Sequence, residues 1–413
     1  MMDVMTKSNR KNHKLRTMVP GGILILVILY VILCLYLPIK ALSVGKGLST
    51  LNITTQPSNL PWPSSGEAAV GLSNGTVIQS HGAQKPVPTA SVAKLITALA
   101  VLKKYPLSVG QSGPLITIDA TDYGFYTKYI AEQGSVVPVY SGEQLTEYQM
   151  LEAMLVPSGN NIADALARWA YGSVSAYDSY ASTFVKQLGL DQTHIGSDAS
   201  GYLPNTTSTA DNLIKLGSYI LANPVLASIV NMKTINVPNV GVMTNYDNIL
   251  GTDGIIGIKT GNSNQAGGVF LGAANTIVNG KRVTILTAIM GAASLVRALN
   301  DTVPLVVSLE NDFAQTILVS KGEVVGEFKQ PWGGNIQIVA SQNLIIYVLQ
   351  GQTAKAQLKI SNLSVPSAAN TSIGTITAIA NQFNPNVSVP LKTLQNTSKP
   401  SWSWRLTHPG YIL

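Results

Sequence analysis

Cysteine and histidine are scarce in this chain, and their scarcity excludes several kinds of chemistry. The 413 residues include one cysteine, Cys34, which lies in a long apolar run near the N-terminus. The rest of the chain can therefore form no disulfide bond and can use no thiol nucleophile. No motif surrounds any of the four histidines, and no cluster has metal-ligand spacing, so we expect neither a Ser-His-Asp triad nor a metal or other cofactor. These histidines are His13, His81, His194 and His408.

Basic residues are in excess, but the excess is confined to one end of the chain. The sequence has 27 Lys and Arg against 20 Asp and Glu, a net charge of +7. Residues 1–40 hold six basic residues and one acidic residue, so only +2 remains for residues 41–413. Nucleic-acid-binding proteins carry a basic stripe on the folded domain. This distribution lacks one, and we expect no nucleic-acid partner.

Residues 19–39 are uncharged and almost wholly apolar. A run of this length is long enough for a helix to cross a bilayer. The basic segment 1–18 predicts a cytoplasmic N-terminus, with the rest of the chain outside a cell membrane that it crosses once. A cleaved signal peptide is the alternative, with Ala41-Leu42-Ser43 as its cleavage site. We favour a retained transmembrane anchor because the run is long for a signal. Residues 40–60, rich in Ser, Thr, Asn and Pro, are predicted to be a linker.

Residues 61–320 mix helical and strand patterns and form the predicted main domain. Asn74-Gly75 predicts a β-hairpin turn, and Thr146-x-x-Gln149 predicts a capping box at a helix start. A closing helix is predicted from Asp301 to Ser320, entered near Pro304. Beyond 320, short alternating segments separated by Gly, Pro, Asn and Ser predict a small all-β, sandwich-like domain over 321–413.

Ser91-x-x-Lys94 lies at the predicted start of an apolar helix, just after Pro88. Positions i and i+3 share one helix face, so both side chains would point the same way. A serine hydroxyl is a poor nucleophile unless a base lies beside it. A lysine serves as that base when burial or a nearby cation lowers its pKa. Taken alone the motif is weak, because the same spacing occurs by chance in surface helices.

Two further motifs follow in order along the chain. Ser158-Gly-Asn160 falls in a tight break between two predicted helices, and Lys259-Thr-Gly261 ends a buried strand. These three motifs together are the signature of penicillin-binding proteins and serine β-lactamases. The chain resembles in particular the D-alanyl-D-alanine carboxypeptidases, the low-molecular-mass penicillin-binding proteins.

The resemblance covers residues 60–320 well and 321–400 loosely. It extends to Asp253-Gly-Ile-Ile-Gly-Ile-Lys-Thr-Gly261 and Leu188-Gly-Leu-Asp-Gln-Thr-His194. It implies an α+β fold, in which an antiparallel sheet with helices and a helical subdomain forms a penicillin-binding-protein-like catalytic domain, followed by the β domain. One departure is Asn262, where many relatives carry histidine, and this bears on substrate preference.

The resemblance assigns catalytic roles to the first two motifs. Ser91 would attack the carbonyl of the penultimate D-Ala and form an acyl-enzyme, while Lys94 takes its proton. Ser158 would relay that proton to the leaving amine. Asn160 would hold Lys94 and a substrate amide.

Substrate binding is assigned to the third motif and its surroundings. Lys259 and Thr260 would bind the terminal carboxylate, and Gly261 would let the backbone approach closely. The N–H groups of Ser91 and Asn262 would form the oxyanion hole. Arg297 is a further candidate for the carboxylate, with a solvated surface arginine as the alternative.

The implied function is removal of the terminal D-Ala from peptidoglycan stem peptides, with β-lactam antibiotics as covalent inhibitors. A D,D-endopeptidase remains an alternative, because the same site accepts a longer leaving group. A serine β-lactamase of class A uses a glutamate in deacylation, and there is none between Glu152 and Glu310. A non-catalytic wall-binding scaffold is disfavoured because all three motifs are intact.

Overall fold

The computed structural model describes residues 5–44, 50–56, 58–351, 353–379 and 386–412. The chain divides into two units. The larger unit comprises residues 56–314 with 349–352, and the smaller unit comprises 1–55, 315–348 and 353–413. Residues 1–55, which precede the predicted main domain, are therefore grouped with the C-terminal part of the chain.

The α-helices of the described residues fall mainly in the larger unit. They are α1 Met5–Tyr36, α2 Lys94–Lys104, α3 Ala120–Ala131, α4 Glu147–Leu155, α5 Asn160–Tyr171, α6 Val174–Gln187, α7 Ala210–Ala222, α8 Pro224–Val230, α9 Leu295–Asn311 and α10 Trp402–Thr407. Short 3₁₀ helices occupy Ala90–Ala93, Thr252–Gly254 and Pro409–Tyr411.

Most of the strands pair in antiparallel fashion, and most are short. They are β1 Thr50–Thr54, β2 Glu67–Leu72, β3 Val77–His81, β4 Val87–Pro88, β5 Leu115–Thr117, β6 Gln144–Thr146, β7 Thr207–Ser208, β8 Thr234–Val237, β9 Gly241–Thr244, β10 Ile255–Ser263, β11 Gly267–Val278, β12 Lys281–Ala292, β13 Phe313–Val319, β14 Val324–Lys329, β15 Asn335–Ala340, β16 Leu344–Leu349, β17 Thr353–Ile360, β18 Ser372–Ala378 and β19 Val387–Thr393.

A five-stranded sheet in the order β10-β11-β12-β2-β3 forms the centre of the larger unit. The β11–β12 hairpin turns at Asn279 and Gly280, whose φ angles of 51° and 71° both lie in the left-handed region that this tight turn requires. Side chains alternate between the two faces of a strand, so each face has its own apolar core. One face packs on α7 through Ala69, Leu286, Ala288, Leu213 and Ile214, and the other on α9 through Ala68, Ile285, Ile289, Ala298 and Leu305.

The helical part of the larger unit continues the α7 core through α2, α4, α5 and α6. The predicted capping box forms at the start of α4, where Gln149 N donates to Thr146 Oγ1 at 3.2 Å and Thr146 N donates to Gln149 Oε1 at 2.9 Å. The predicted closing helix, 301–320, is wrong in its position. The helix begins earlier because the Ser294 side chain caps it, it holds Pro304 in its interior, and residues 313–319 form a strand.

The smaller unit contains a six-stranded sheet in the order β1-β17-β18-β19-β15-β14 and a two-stranded pair, β13-β16. The linker predicted for residues 40–60 is wrong over 50–54, because those residues form β1 and pair with β17 over 353–357. In the same unit, Arg405 on α10 donates to the carbonyl of Cys34 near the end of α1 at 2.6 Å.

Among the described residues, no single helix reaches the length and hydropathy of a membrane span, and the apolar part of α1, Gly21–Tyr36, is too short. The helices Ala210–Ala222 and Pro224–Val230 reach them only as a pair, with a bend of 108° between them.

Candidate active site

The first motif lies on a tight turn rather than on a regular helix. Residues Ala90–Ala93 form one 3₁₀ turn, and the α-helix proper begins at Lys94. Ala90 has a φ of 45°, a left-handed conformation that is rare for a residue with a side chain. This turn brings the hydroxyl oxygen of Ser91 to 2.8 Å from the amine nitrogen of Lys94.

The second motif occupies the predicted break between two helices. Ser158, with a φ of 64°, reverses the chain after α4, and α5 begins at Asn160. The Asn160 backbone N–H donates to the Ser135 carbonyl at 2.8 Å, which fixes the start of the helix. The side-chain oxygen of Asn160 then accepts a hydrogen bond from Lys94 at 2.7 Å.

The third motif lies on β10, at the edge of the central sheet. Lys259 donates to the hydroxyl of Ser158 at 3.1 Å. A Cβ atom at Gly261 would lie 2.9 Å from the Thr89 carbonyl oxygen and 3.2 Å from the backbone nitrogen of Ser91. Only glycine therefore lets the strand pass this close to the serine turn. The three motifs, far apart in sequence, meet at one place.

A cavity of about 560 Å³ opens at this meeting point. Among the predicted site residues, those that line it are Ser91, Ser158, Asn160, Thr260, Gly261 and Asn262. The two lysines lie beneath the surface, with 0% of Lys94 and 2% of Lys259 exposed. Sequence reasoning missed much of the remaining wall, which includes Gln133, Ser135, Tyr202, Leu203 and Tyr246. These residues lie on irregular loops, and no motif signals them.

Burial and mutual repulsion favour different protonation states for the two lysines. Burial is the main cause that holds the pKa of Lys94 well below its usual value, and the positive charge of Lys259 lowers it further. Burial lowers the pKa of Lys259 to about 7, while the carboxylate of Asp247 acts in the opposite direction. The state that follows has a neutral amine on Lys94 and a charged ammonium on Lys259.

The hydrogen-bond partners of Lys94 accommodate the neutral amine that its lowered pKa favours. Its nitrogen lies 2.7 Å from Asn160 Oδ1 and 3.0 Å from the Ser200 carbonyl oxygen, and both of these atoms can only accept. A neutral amine has two N–H groups and one lone pair. With both N–H groups donated to these acceptors, the lone pair is left to accept the hydroxyl proton of Ser91. This is the arrangement that a general base for a serine nucleophile requires.

Arg297 lies apart from these residues. It is on the first turn of α9, with 54% of its side chain exposed, and its guanidinium pairs with Asp301 at 2.9 Å. Leu295 is the α9 residue that lines the cavity. The arrangement does not bring the guanidinium to the cavity wall, and its part in carboxylate binding stays a prediction.

Two curated relatives match about half of the chain. The D-alanyl-D-alanine carboxypeptidase DacB2 of Mycobacterium tuberculosis is 29% identical over 225 residues, which is 52% of this chain and 70% of the relative. A D-alanyl-D-alanine carboxypeptidase of a Streptomyces species is 28% identical over 219 residues, 49% of this chain and 72% of the relative.

Solved structures resemble the chain over a larger part of its length. Penicillin binding protein 5 from Haemophilus influenzae has a TM-score of 0.58 at 19% identity and covers 83% of this chain and 100% of its own. A peptidoglycan synthesis regulatory factor (PBP3) from Streptococcus pneumoniae has a TM-score of 0.55 at 19% identity, with 81% and 99% covered. At these identities the likeness concerns the fold, and it confirms the predicted fold class.

A family model described as D-alanyl-D-alanine carboxypeptidase matches residues 57–294, more than half of the chain. The match spans all three motifs, from the serine turn through the strand that carries Lys259. The chain therefore belongs to the D-alanyl-D-alanine carboxypeptidases, serine-type hydrolases of the cell wall that are also low-molecular-mass penicillin-binding proteins.

Proposed function

We propose that Ser91 is the nucleophile that releases the terminal D-Ala of a peptidoglycan stem peptide. The observation that carries this proposal is the 2.8 Å contact between Ser91 Oγ and a buried amine, that of Lys94, whose other two contacts are acceptors. The Ser91 oxygen forms a bond to the carbonyl carbon of the penultimate D-Ala, and its proton passes to Lys94. The bond from that carbon to the nitrogen of the terminal D-Ala then breaks, and water later hydrolyses the ester.

The leaving amine needs a proton, and the hydroxyl of Ser158 would relay it: Ser158 gives its own proton to the leaving nitrogen and takes the one that Lys94 accepted from Ser91. The Ser158 hydroxyl accepts a hydrogen bond from Lys259 at 3.1 Å, which favours loss of its proton. The same ammonium, with the hydroxyl of Thr260, would hold the terminal carboxylate of the substrate. The backbone N–H groups of Ser91 and Asn262 would face the developing oxyanion, an effect of about 3–4 kcal/mol in acyl transfer.

Two substrates test the assignment. We expect the protein to release free D-Ala from a pentapeptide ending in D-Ala-D-Ala, with quantification of D-Ala by chromatography. A cross-linked stem-peptide dimer tests the endopeptidase alternative, because its cleavage yields two stem peptides. Cleavage of the dimer without release of D-Ala from the pentapeptide would contradict the carboxypeptidase proposal.

The two lysines predict a bell-shaped dependence of kcat/KM on pH. The active form has a neutral Lys94 and a charged Lys259. On the acid side activity rises as Lys94 loses its proton. On the alkaline side it falls above about pH 7, because the pKa of Lys259 is lowered to about 7 and the charge that binds the substrate carboxylate is lost as pH rises through that value. Steady-state D-Ala release across the pH range measures both limbs.

A substrate whose terminal carboxylate is converted to a carboxamide serves as the control for that profile. It does not need the charge of Lys259 for binding, so its acid limb should persist while its alkaline limb becomes smaller. An alkaline limb of equal size with both substrates would show that Lys259 does not act through the carboxylate.

We also propose that the apolar run 19–39 anchors the protein in the cell membrane, with the larger unit on the outer side. The uncharged run and the basic segment before it support this proposal. The full chain should sediment with membranes, resist a salt wash and be released by detergent. Leu26→Arg together with Leu29→Arg should move it to the soluble fraction, because each arginine at the centre of a span costs about 2.5–3.5 kcal/mol. Release of the unaltered chain by salt alone would contradict the anchor.

A further inference from the structure

A buried carboxylate, that of Asp198, accepts hydrogen bonds from the loop of residues 198–203, which faces Lys94. The side chain of Asp198 is 3% exposed. Its Oδ1 accepts hydrogen bonds from Ser200 N at 2.8 Å, Ser200 Oγ at 2.6 Å and Tyr202 N at 3.0 Å. Its Oδ2 accepts one from Leu203 N at 3.0 Å. Hydrogen bonds to a charged acceptor are about twice as strong as neutral ones, so this carboxylate determines the path of residues 198–203.

A second carboxylate holds the same loop from α5. Asp164 Oδ1 accepts from Ala199 N at 3.0 Å, and its Oδ2 accepts from the hydroxyl of Tyr129 at 2.7 Å. Asp164 lies four residues after Asn160, so the two side chains share one helix face. The helix that orients Asn160 on Lys94 therefore also fixes the loop.

The loop contributes a hydrogen-bond acceptor for the Lys94 amine, and it also forms part of the cavity wall. The Ser200 carbonyl oxygen lies 3.0 Å from Lys94 Nζ. A Cβ atom at Gly201 would lie 2.1 Å from the Ala90 carbonyl oxygen, so the loop is in direct contact with the serine turn. The next two residues, Tyr202 and Leu203, line the cavity.

We propose that Asp198 is a positioning residue for acylation, which directs the lone pair of Lys94 at Ser91 by holding the Ser200 carbonyl against one N–H of the amine. This inference rests on the proposed role of Lys94 as the base. Without the Ser200 acceptor, only Asn160 accepts from the two N–H groups of the amine. The amine can then rotate about its Cε–Nζ bond, and its lone pair no longer faces the hydroxyl.

The charge of Asp198 has a second, separable effect. Its carboxylate and that of Asp164 raise the pKa of Lys94, against the lowering by burial and by Lys259. Asp198→Asn removes the charge but keeps the Oδ1 acceptor, so the pKa of Lys94 should fall and the acid limb of acylation should move to lower pH. The other titratable groups around these carboxylates are Lys128, Tyr129, Tyr177 and Asp178, and the variant retains all four side chains.

The test is the rate constant for acylation by a penicillin, measured against pH on folded protein. We expect Asp198→Ala to acylate about 100-fold more slowly, the usual cost of a misplaced catalytic group. Asp198→Asn should lose less of the acylation rate, and its acid limb should lie at lower pH than that of the wild type. Asp122→Asn is the matched control, because Asp122 is also 3% exposed but pairs with Arg168 instead of the loop. It should lower thermal stability and leave the acylation rate of folded protein unchanged.

Lys94→Ala, measured alongside, distinguishes a failure of the base assignment from a failure of the inference about Asp198. If Lys94→Ala acylates as fast as the wild type, the base assignment itself fails. If it is inactive while folded Asp198→Ala acylates at the wild-type rate, the inference about Asp198 is wrong. A loss of acylation rate in Asp122→Asn equal to that in Asp198→Ala would also overturn the inference about Asp198. Should Asp198→Ala not fold, Asp198→Asn decides, and a wild-type acylation rate at the pH optimum in that variant would reject the proposal.

Discussion

Ser91→Ala is expected to release D-Ala from a D-Ala-D-Ala peptide at least about 10⁴-fold more slowly than the wild type. The substitution removes the one oxygen that would form the acyl-enzyme, and water would have to attack directly. Its cost in stability should be small, because the Ser91 hydroxyl contacts the Lys94 amine at the edge of the cavity and fills no apolar core. The release of D-Ala under single-turnover conditions measures the loss of activity. Equal thermal unfolding temperatures of the variant and the wild type would show that the fold is intact.

A serine outside the site provides the matched control. Ser179 on α6 is exposed, and its hydroxyl donates to the carbonyl of Ser175 within the same helix. Ser179→Ala should release D-Ala at the wild-type rate. Substantial activity in Ser91→Ala, or an equal loss in both variants, would remove Ser91 from the role proposed for it.

Lys94→Arg is expected to slow acylation by about 10²–10⁴-fold, the range that a positioned general base contributes. An arginine remains charged and has no lone pair to accept the hydroxyl proton. It would also place a larger cation in a site where the lysine is 0% exposed, beside the charge of Lys259. The rate of acylation by a penicillin and the release of D-Ala should fall together, since both begin with the same proton transfer.

The pH dependence distinguishes loss of the base from damage to the fold. In the wild type, acylation rises on the acid side as Lys94 becomes neutral. In Lys94→Arg that rise should be absent, because the substituted side chain does not titrate in this range. Lys94→Met is a neutral companion of similar length. It leaves Asn160 Oδ1 and the Ser200 carbonyl without this donor, at a cost of about 1–3 kcal/mol each. A wild-type acid limb in either variant would contradict the assignment of the base.

The site is predictable from sequence where its chemistry is local. Ser91 and Lys94 lie three residues apart at a helix start, and Ser158 and Asn160 flank a glycine in a helix break. These short spacings fix the relative positions of each pair. Residues that act by holding a loop in place have no such short spacing that would mark them in the sequence. Asp198 is one of several aspartates in a polar stretch, and only the folded chain shows that it is buried and accepts four hydrogen bonds.

The same distinction holds for the fold. The Asn74-Gly75 turn, which joins β2 to β3, and the Thr146 capping box depend on neighbouring residues, and both follow from sequence. Strand β1 does not, because Thr50–Thr54 pairs with residues 353–357, about 300 positions away, and its polar composition resembles a linker. The start of α9 was missed because Pro304 is typical of a first turn, whereas the Ser294 side chain caps the helix ten residues earlier.

The mass of the protein after reaction with a penicillin shows directly whether Ser91 forms the acyl-enzyme. We expect the intact chain to gain the mass of one penicillin, the adduct to map to the peptide containing Ser91, and Ser91→Ala to gain none. An adduct on another residue, or one that persists in Ser91→Ala, would show that Ser91 is not the nucleophile.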